Sequence, residues 1–159
     1  MNMLFMPAST VLGRQRLVKN RPSIYRPYMR DISIKVIVLA TLAVFGIDFV
    51  SGTVLMGAFG VPLSTSPEAA RTAIEALNQN SHYLMAVLLL GTASTVVGGY
   101  LTARLSQRVP YFNALAFGVV GVLLGVPSSL SLPLWLIVVG LGLTIPAALF
   151  GAYLARRSA

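Results

Sequence analysis

Residues 36–59 read VIVLATLAVFGIDFVSGTVLMGAF, and this stretch decides the fold. It is 24 residues long, and Asp48 is its only charged residue. As a helix it reaches roughly 36 Å, enough to cross a hydrocarbon core of ~30 Å with some tilt. The apolar residues run continuously and do not alternate, which suits a helix better than a strand. Three more such runs lie at about 83–105, 112–130 and 132–154. Four strands cannot close a membrane barrel, and lipid offers no partner for an open edge. The expected fold is an all-α membrane protein, a bundle of four transmembrane helices over residues 36–157.

Composition agrees. The chain has 159 residues, 56 % hydrophobic and 10 % charged, and its mean hydropathy is +0.80. Soluble domains carry about 25 % charged residues. With no cysteine, disulfides, thiolate metal sites and cysteine nucleophiles are excluded. One histidine and four carboxylates leave few catalytic constellations, and there is no phosphate-cradling P-loop. The expectation is a non-enzyme with no metal and no predicted cofactor beyond bound lipid; a pigment or haem is left open.

Charge sets the orientation. Seven Lys and Arg residues precede the first run, Arg104 and Arg108 separate the second from the third, and Arg156 and Arg157 follow the fourth. Only Arg71, beside Glu68 and Glu75, falls on the other side, so eleven of twelve positive charges share one face. The positive-inside rule makes that face, and both termini, cytoplasmic.

Residues 1–35 form a basic arm. Its first 30 residues hold six basic residues (Arg14, Arg16, Lys19, Arg21, Arg26 and Arg30) and no acidic one. The apolar stretch and cleavage site of a secretory signal are not there; a mitochondrial presequence shares the Arg-rich, acid-poor character. An orientation signal lying on anionic lipid is preferred, with about 1 kcal/mol from each basic residue. A docking arm on a partner is the rival, since aromatic and apolar residues alternate with charge over 21–28. Nucleic acid is not an expected partner, because topology explains the charge.

Between the first two runs, Ser66-Pro67-Glu68 has the form of a helix start, with Ser66 as N-cap and Pro67 in the first position. A short amphipathic helix is expected from Pro67 to about Asn78, on the periplasmic side. Pro146, inside the fourth run, is expected to bend it. A faint repeat pairs Gly98-Gly99-Tyr100-Leu101 with Gly151-Ala152-Tyr153-Leu154, and Gly60-Val61-Pro62 with Gly125-Val126-Pro127. It suggests two hairpins related about an axis along the membrane normal, with chance as the rival because Gly, Leu, Val and Pro dominate the composition.

Small residues recur one helical turn apart in Gly91-x-x-x-Thr95, Gly121-x-x-x-Gly125 and Ala147-x-x-x-Gly151, with Gly98 and Gly99 nearby. Such faces let helices approach closely. Packing within the bundle is the plain reading, and contact with other membrane subunits or self-association is the functional one. Asp48 is the intramembrane polar candidate, because a carboxylate at that depth costs roughly 2.5–3.5 kcal/mol on insertion scales. It is expected to face the bundle interior or a partner, near Ser51 and Thr53 or Thr92, Ser94 and Thr95. A packing role is preferred over a proton or cation site. His82 reads as an interfacial anchor, Trp135 as part of the same belt. Tyr100 and Tyr153, just before Arg104 and Arg156, read as anchors at the other boundary and as lipid or partner contacts.

The run Gly98-Gly99-Tyr100-Leu101-Thr102-Ala103-Arg104, with Asp48-Phe49-Val50-Ser51-Gly52 in the first helix, resembles a pattern in small, uncharacterised four-span proteins of the bacterial inner membrane. The resemblance spans about residues 36–157 and leaves out the basic arm. It implies four helices and an inner-membrane location, and carries no activity. Small multidrug exporters share the span count and an acid in the first helix, but the residues around that acid differ. The leading expectation is a non-catalytic accessory or assembly subunit of a membrane complex. The alternative is a small oligomeric proton- or cation-coupled transporter or channel using Asp48.

Overall fold

In lipid a backbone amide finds no water, so each apolar run closes its own hydrogen-bond ladder as a helix. The structure is a computed structural model that describes residues 32–61, 66–106, 108–128 and 132–158. The arm residues Arg14, Arg16, Lys19, Arg21, Arg26 and Arg30 lie outside the described residues. Five helices follow in order: α1 (Ile34–Ala58), α2 (Pro67–Leu77), α3 (Ser81–Leu105), α4 (Pro110–Ser128) and α5 (Leu134–Arg157). No strand occurs among the described residues. All but α2 are long and apolar enough to span a membrane, which makes the chain a multi-pass membrane protein. Against the sequence boundaries, α4 begins two residues earlier than 112, and α5 continues to Arg157, through Pro146.

The helix ends are made locally. Ser66 caps α2, its hydroxyl accepting from the Ala69 amide at 3.4 Å, and Pro67 fills the first position, where its missing N–H costs nothing. Asn80 caps α3, its side-chain oxygen accepting from His82 and Tyr83 amides at 3.0 and 3.3 Å. At the end of α1 the chain reverses through Gly60, at φ +84°. Val61 N–H donates to Met56 and Gly60 N–H to Gly57. These are the paired bonds of a Schellman ending, whose left-handed position favours glycine.

Lipid tails are as apolar as leucine, so the helices are held by close packing rather than by hydrophobic exclusion. The most extensive pair is α3 with α5, which run parallel, not a pair adjacent in sequence. A Cβ placed on Gly99 would strike the Ala148 carbonyl, and one on Gly151 would strike the Val96 carbonyl. Each glycine thus meets the residue three positions before the other. This reciprocity has the local two-fold character that the sequence repeat suggested, shifted by one residue from its Tyr100–Tyr153 match. It does not extend outward, because α4 packs on both α3 and α5, while α1 packs on α3 and α4 but not extensively on α5.

Three apolar clusters lie along the bundle. At one end, Phe59 and Val61 join Leu77, Tyr83, Leu84 and Leu136, with Phe59 edge-on to Tyr83 at 5.4 Å. This cluster holds the last residue of α2, whose Glu68, Arg71 and Glu75 are exposed. Ile37, Ala40, Val44, Phe117 and Ala148 form the second. At the arginine-bearing end, Tyr100 packs on Ala103, Ala114, Ala152 and Ala155. There Asn113, 1 % exposed, joins two helices: its oxygen accepts from the Ser33 amide at 2.8 Å, and its Nδ2 donates to the Val109 carbonyl at 3.0 Å.

Gly99→Ala is expected to lower stability by roughly 1–3 kcal/mol, because neither backbone can give way. Gly46→Ala, with nothing within 4 Å of the new methyl, should stay within about 0.5 kcal/mol of wild type. Thermal unfolding in detergent distinguishes them, and equal midpoints would refute the backbone contact. Asn113→Leu should cost about 2 kcal/mol in the same assay by orphaning the Ser33 amide.

Candidate functional site

A cleft of about 480 Å³ lies within the spans, with walls from α1, α3, α4 and α5. Its volume falls in the range of small-molecule sites, roughly 300–1,000 Å³. Glycine makes the room: Gly91 of α3, Gly121 and Gly125 of α4 and Gly140 of α5 all line it. Apolar side chains such as Val44, Phe45, Phe117 and Leu136 form most of the remaining wall.

The polar groups come from two helix faces. On α1, Thr41, Val44, Phe45 and Asp48 recur at helical spacing and share one side. On α3, Leu88, Gly91, Thr92 and Thr95 do the same. Thr92, Thr95 and, on α5, Thr144 donate their hydroxyl protons to the carbonyls of Leu88, Gly91 and Gly140, at 2.7, 2.8 and 2.9 Å. Their oxygens therefore meet the cleft as acceptors. Thr41 Oγ1 is buried and has no hydrogen-bond partner.

Asp48 lines the cleft but is exposed rather than buried, so it stands on the open side. Of the two positions expected from the sequence, facing the bundle interior or facing a partner, Asp48 has the cleft on one side and an exposed face on the other. Of the hydroxyls considered for it, Ser94 is the one that lies near the carboxyl. Ser51 donates to the Asp48 carbonyl and Thr53 to the Phe49 carbonyl, both on their own helix. Ser94 is buried and its hydroxyl also reaches the Gly91 carbonyl at 3.0 Å. With its proton given to Gly91, the Ser94 oxygen is free to accept from a protonated Asp48. An ionised Asp48 must compete with Gly91 for the single serine proton. Among the described residues no cationic side chain accompanies the carboxyl.

The remaining candidates separate. Gly91 and Thr95 line the cleft, and nothing lies within 4 Å of a Cβ on Gly91. Gly98 is filled by α1 and α4, where a Cβ would meet Phe117 and come within 2.6 Å of Val44. Cβ atoms on Gly121 and Gly125 would lie 3.2 and 3.1 Å from Thr144 and Leu141, so both face α5. Tyr153 is exposed and stacks on Phe150 at 6.4 Å. Arg156 lies over the Tyr111 ring at 5.7 Å, and Arg104 is exposed in the last turn of α3. His82 and Glu75 are exposed and Trp135 half-exposed. Among the described residues no group of three His, Asp or Glu side chains converges. Thr41 was missed from the sequence, because a threonine within an apolar run reads as an ordinary back-bonded helix residue.

Comparison with known protein families, curated proteins and solved structures gives no match for this chain.

Thr41→Val removes the unpartnered hydroxyl at nearly constant shape. It should raise stability by about 1 kcal/mol, since an unsatisfied buried hydroxyl costs roughly 1–3 kcal/mol. A lower unfolding midpoint would mean that the hydroxyl has a partner.

Proposed function

We propose that the chain is a small membrane transporter whose cleft takes an apolar cation in exchange for a proton on Asp48. The observation that carries this reading is the Asp48 cleft itself, a glycine-made space with apolar walls and polar groups that are mostly acceptors. An unpaired carboxylate at membrane depth is costly, so a proton or a guest cation must neutralise it. The exchange balances: the guest cation enters, Asp48 gives up its proton, and the carboxylate pairs with the guest. Ser94 and Gly91 hold the empty, protonated form, and the apolar walls take the body of the guest.

The resemblance to four-span inner-membrane proteins and the clustering of arginines at one end support a bacterial inner membrane with that end cytoplasmic. The native chain has no cysteine, so single cysteines at Ser158 and Glu75 test the orientation. An impermeant thiol reagent outside intact cells should label Glu75→Cys and spare Ser158→Cys.

An accessory-subunit role is the second reading. It is favoured by α1, which leaves Gly46 and Gly57 unfilled among exposed Leu42, Phe45, Phe49 and Val54. It ranks second because Gly98, Gly99, Gly121, Gly125 and Gly151 face neighbours within this chain.

Tetraphenylphosphonium is a suitable probe. Purified wild type should bind it saturably and release up to one proton per probe. Asp48→Asn should remove both effects and reduce uptake by proteoliposomes to background. Gly91→Leu, whose side chain enters empty space, should abolish binding without lowering the unfolding midpoint. Equal binding by wild type and Asp48→Asn would overturn the reading.

A further inference from the structure

A second pocket, of about 370 Å³, lies at the arginine-bearing end, where α3 ends, α4 begins and α5 ends. Among the described residues it is lined by Arg104 and Ala103 of α3, Ser106 and Arg108 of the connection, Pro110 of α4, and Ala155 and Arg156 of α5. Three cationic side chains thus line one concavity, with no carboxylate among these residues. Membrane topology accounts for arginines at this end, but not for their convergence on a pocket.

Ser106 supplies the independent observation. It caps the end of α3, its backbone N–H donating to the Thr102 carbonyl at 3.1 Å. Its side chain is 7 % exposed, and Oγ has no hydrogen-bond partner. A buried hydroxyl without a protein partner is costly, and it bonds what enters the pocket beside it, water or a ligand. The neighbouring thickness of chain is otherwise tightly satisfied. Thr102 donates to Gly98 at 2.7 Å, and Asn113 uses both ends of its amide. The orphan is therefore local to the pocket.

The complement of these groups is an oxyanion. Guanidinium groups donate in a planar fork that matches phosphate oxygens, and a hydroxyl donates one further bond. The stacking of Arg156 over Tyr111 limits the positions open to one guanidinium and lowers the entropy lost when an anion binds. The pocket also sits where the apolar run of α3 gives way to charge, the depth of a lipid headgroup.

We infer that this pocket is a phosphate-binding site, in which Arg104 and Arg156 hold the anion and Ser106 Oγ donates to it. It is separate from the Asp48 cleft and does not depend on the transport reading. The phosphate belongs either to an anionic phospholipid or to a soluble phosphate ion or ester, and the experiment separates these sources.

Detergent-purified full-length protein is titrated with phosphatidylglycerol, phosphatidylcholine or inorganic phosphate, with the unfolding midpoint as readout. A saturable rise with phosphatidylglycerol, much smaller with phosphatidylcholine and absent with inorganic phosphate, supports the lipid source. The same rise with inorganic phosphate supports the soluble source. Arg156→Gln should weaken the response about tenfold, as expected for a charge-assisted contact. Ser106→Ala should weaken it about fivefold, without lowering the midpoint of the unliganded protein. Arg157→Gln, outside the pocket but of equal charge change, should bind as wild type does. No saturable rise with any of the three overturns the inference. So does an unchanged Ser106→Ala, or an Arg157→Gln loss equal to that of Arg156→Gln, which would reduce the effect to diffuse attraction.

Discussion

The bundle depends on the backbone contact between α3 and α5. In water, apolar helices are pressed together by the solvent they exclude. In lipid that pressure is absent, and association rests on how closely the helices approach. Gly99 and Gly151 permit the closest approach, each against a carbonyl of the opposite helix. Alanines carry the seam onward: Ala148 and Ala152 are fully buried, with Ala103 and Ala155 close to it. The other spans attach to this pair. Gly118, Gly121 and Gly125 seat α4 on α5, and Gly98 admits Phe117 and Val44 from α4 and α1.

The same use of glycine produces the cleft, which is why the sequence could not tell the two apart. Gly91 and Gly99 are both small residues in a small-residue run of one helix. One meets a carbonyl and the other meets nothing within 4 Å. The difference lies in what the neighbouring helix brings to that level, and a one-helix pattern does not contain it. Span existence was legible, because continuous hydrophobicity over more than 18 residues admits few alternatives. The Ser66-Pro67 start of α2 was legible too, because capping chemistry is local. Asn113 and Ser106 were not. Each is a single polar residue near a helix end, a position where polar residues are ordinary. Their roles come from partners, or a missing partner, distant in sequence or outside the chain.

Polar satisfaction connects the two sites. Most described hydroxyls within the spans have bonded themselves away: Thr53, Thr92, Thr95, Thr102 and Thr144 all donate to a carbonyl four residues back. This is how a threonine becomes tolerable in an apolar medium. Against that habit, Thr41 and Ser106 stand out as the buried side-chain oxygens without partners among the described residues. Each of them lines a pocket. A hydroxyl on a cavity wall has no protein atom to bond there, so each takes its partner from whatever fills the cavity, water included.

The charges around the two pockets are opposite, and that fixes what each can receive. The cleft offers a carboxyl and hydroxyl acceptors at membrane depth, so its complement is a cation or a proton donor. The arginine pocket offers guanidinium donors and a hydroxyl at the end of the spans, so its complement is an anion. Both belong to one rigid seam, since Gly91 and Thr95 lie on the same helix as Arg104, and Gly140 and Thr144 on the same helix as Arg156. A helix rises about 1.5 Å per residue, so Thr95 and Arg104 are separated by roughly 14 Å along α3. At that distance through apolar protein a bound anion raises the attraction of the cleft for a cation, whereas through water it would be screened. A proton is such a cation too: the protonated cleft and the guest-paired cleft carry the same net charge, so an anion held at the arginine end opposes the bare carboxylate and leaves the exchange of proton for guest unbiased.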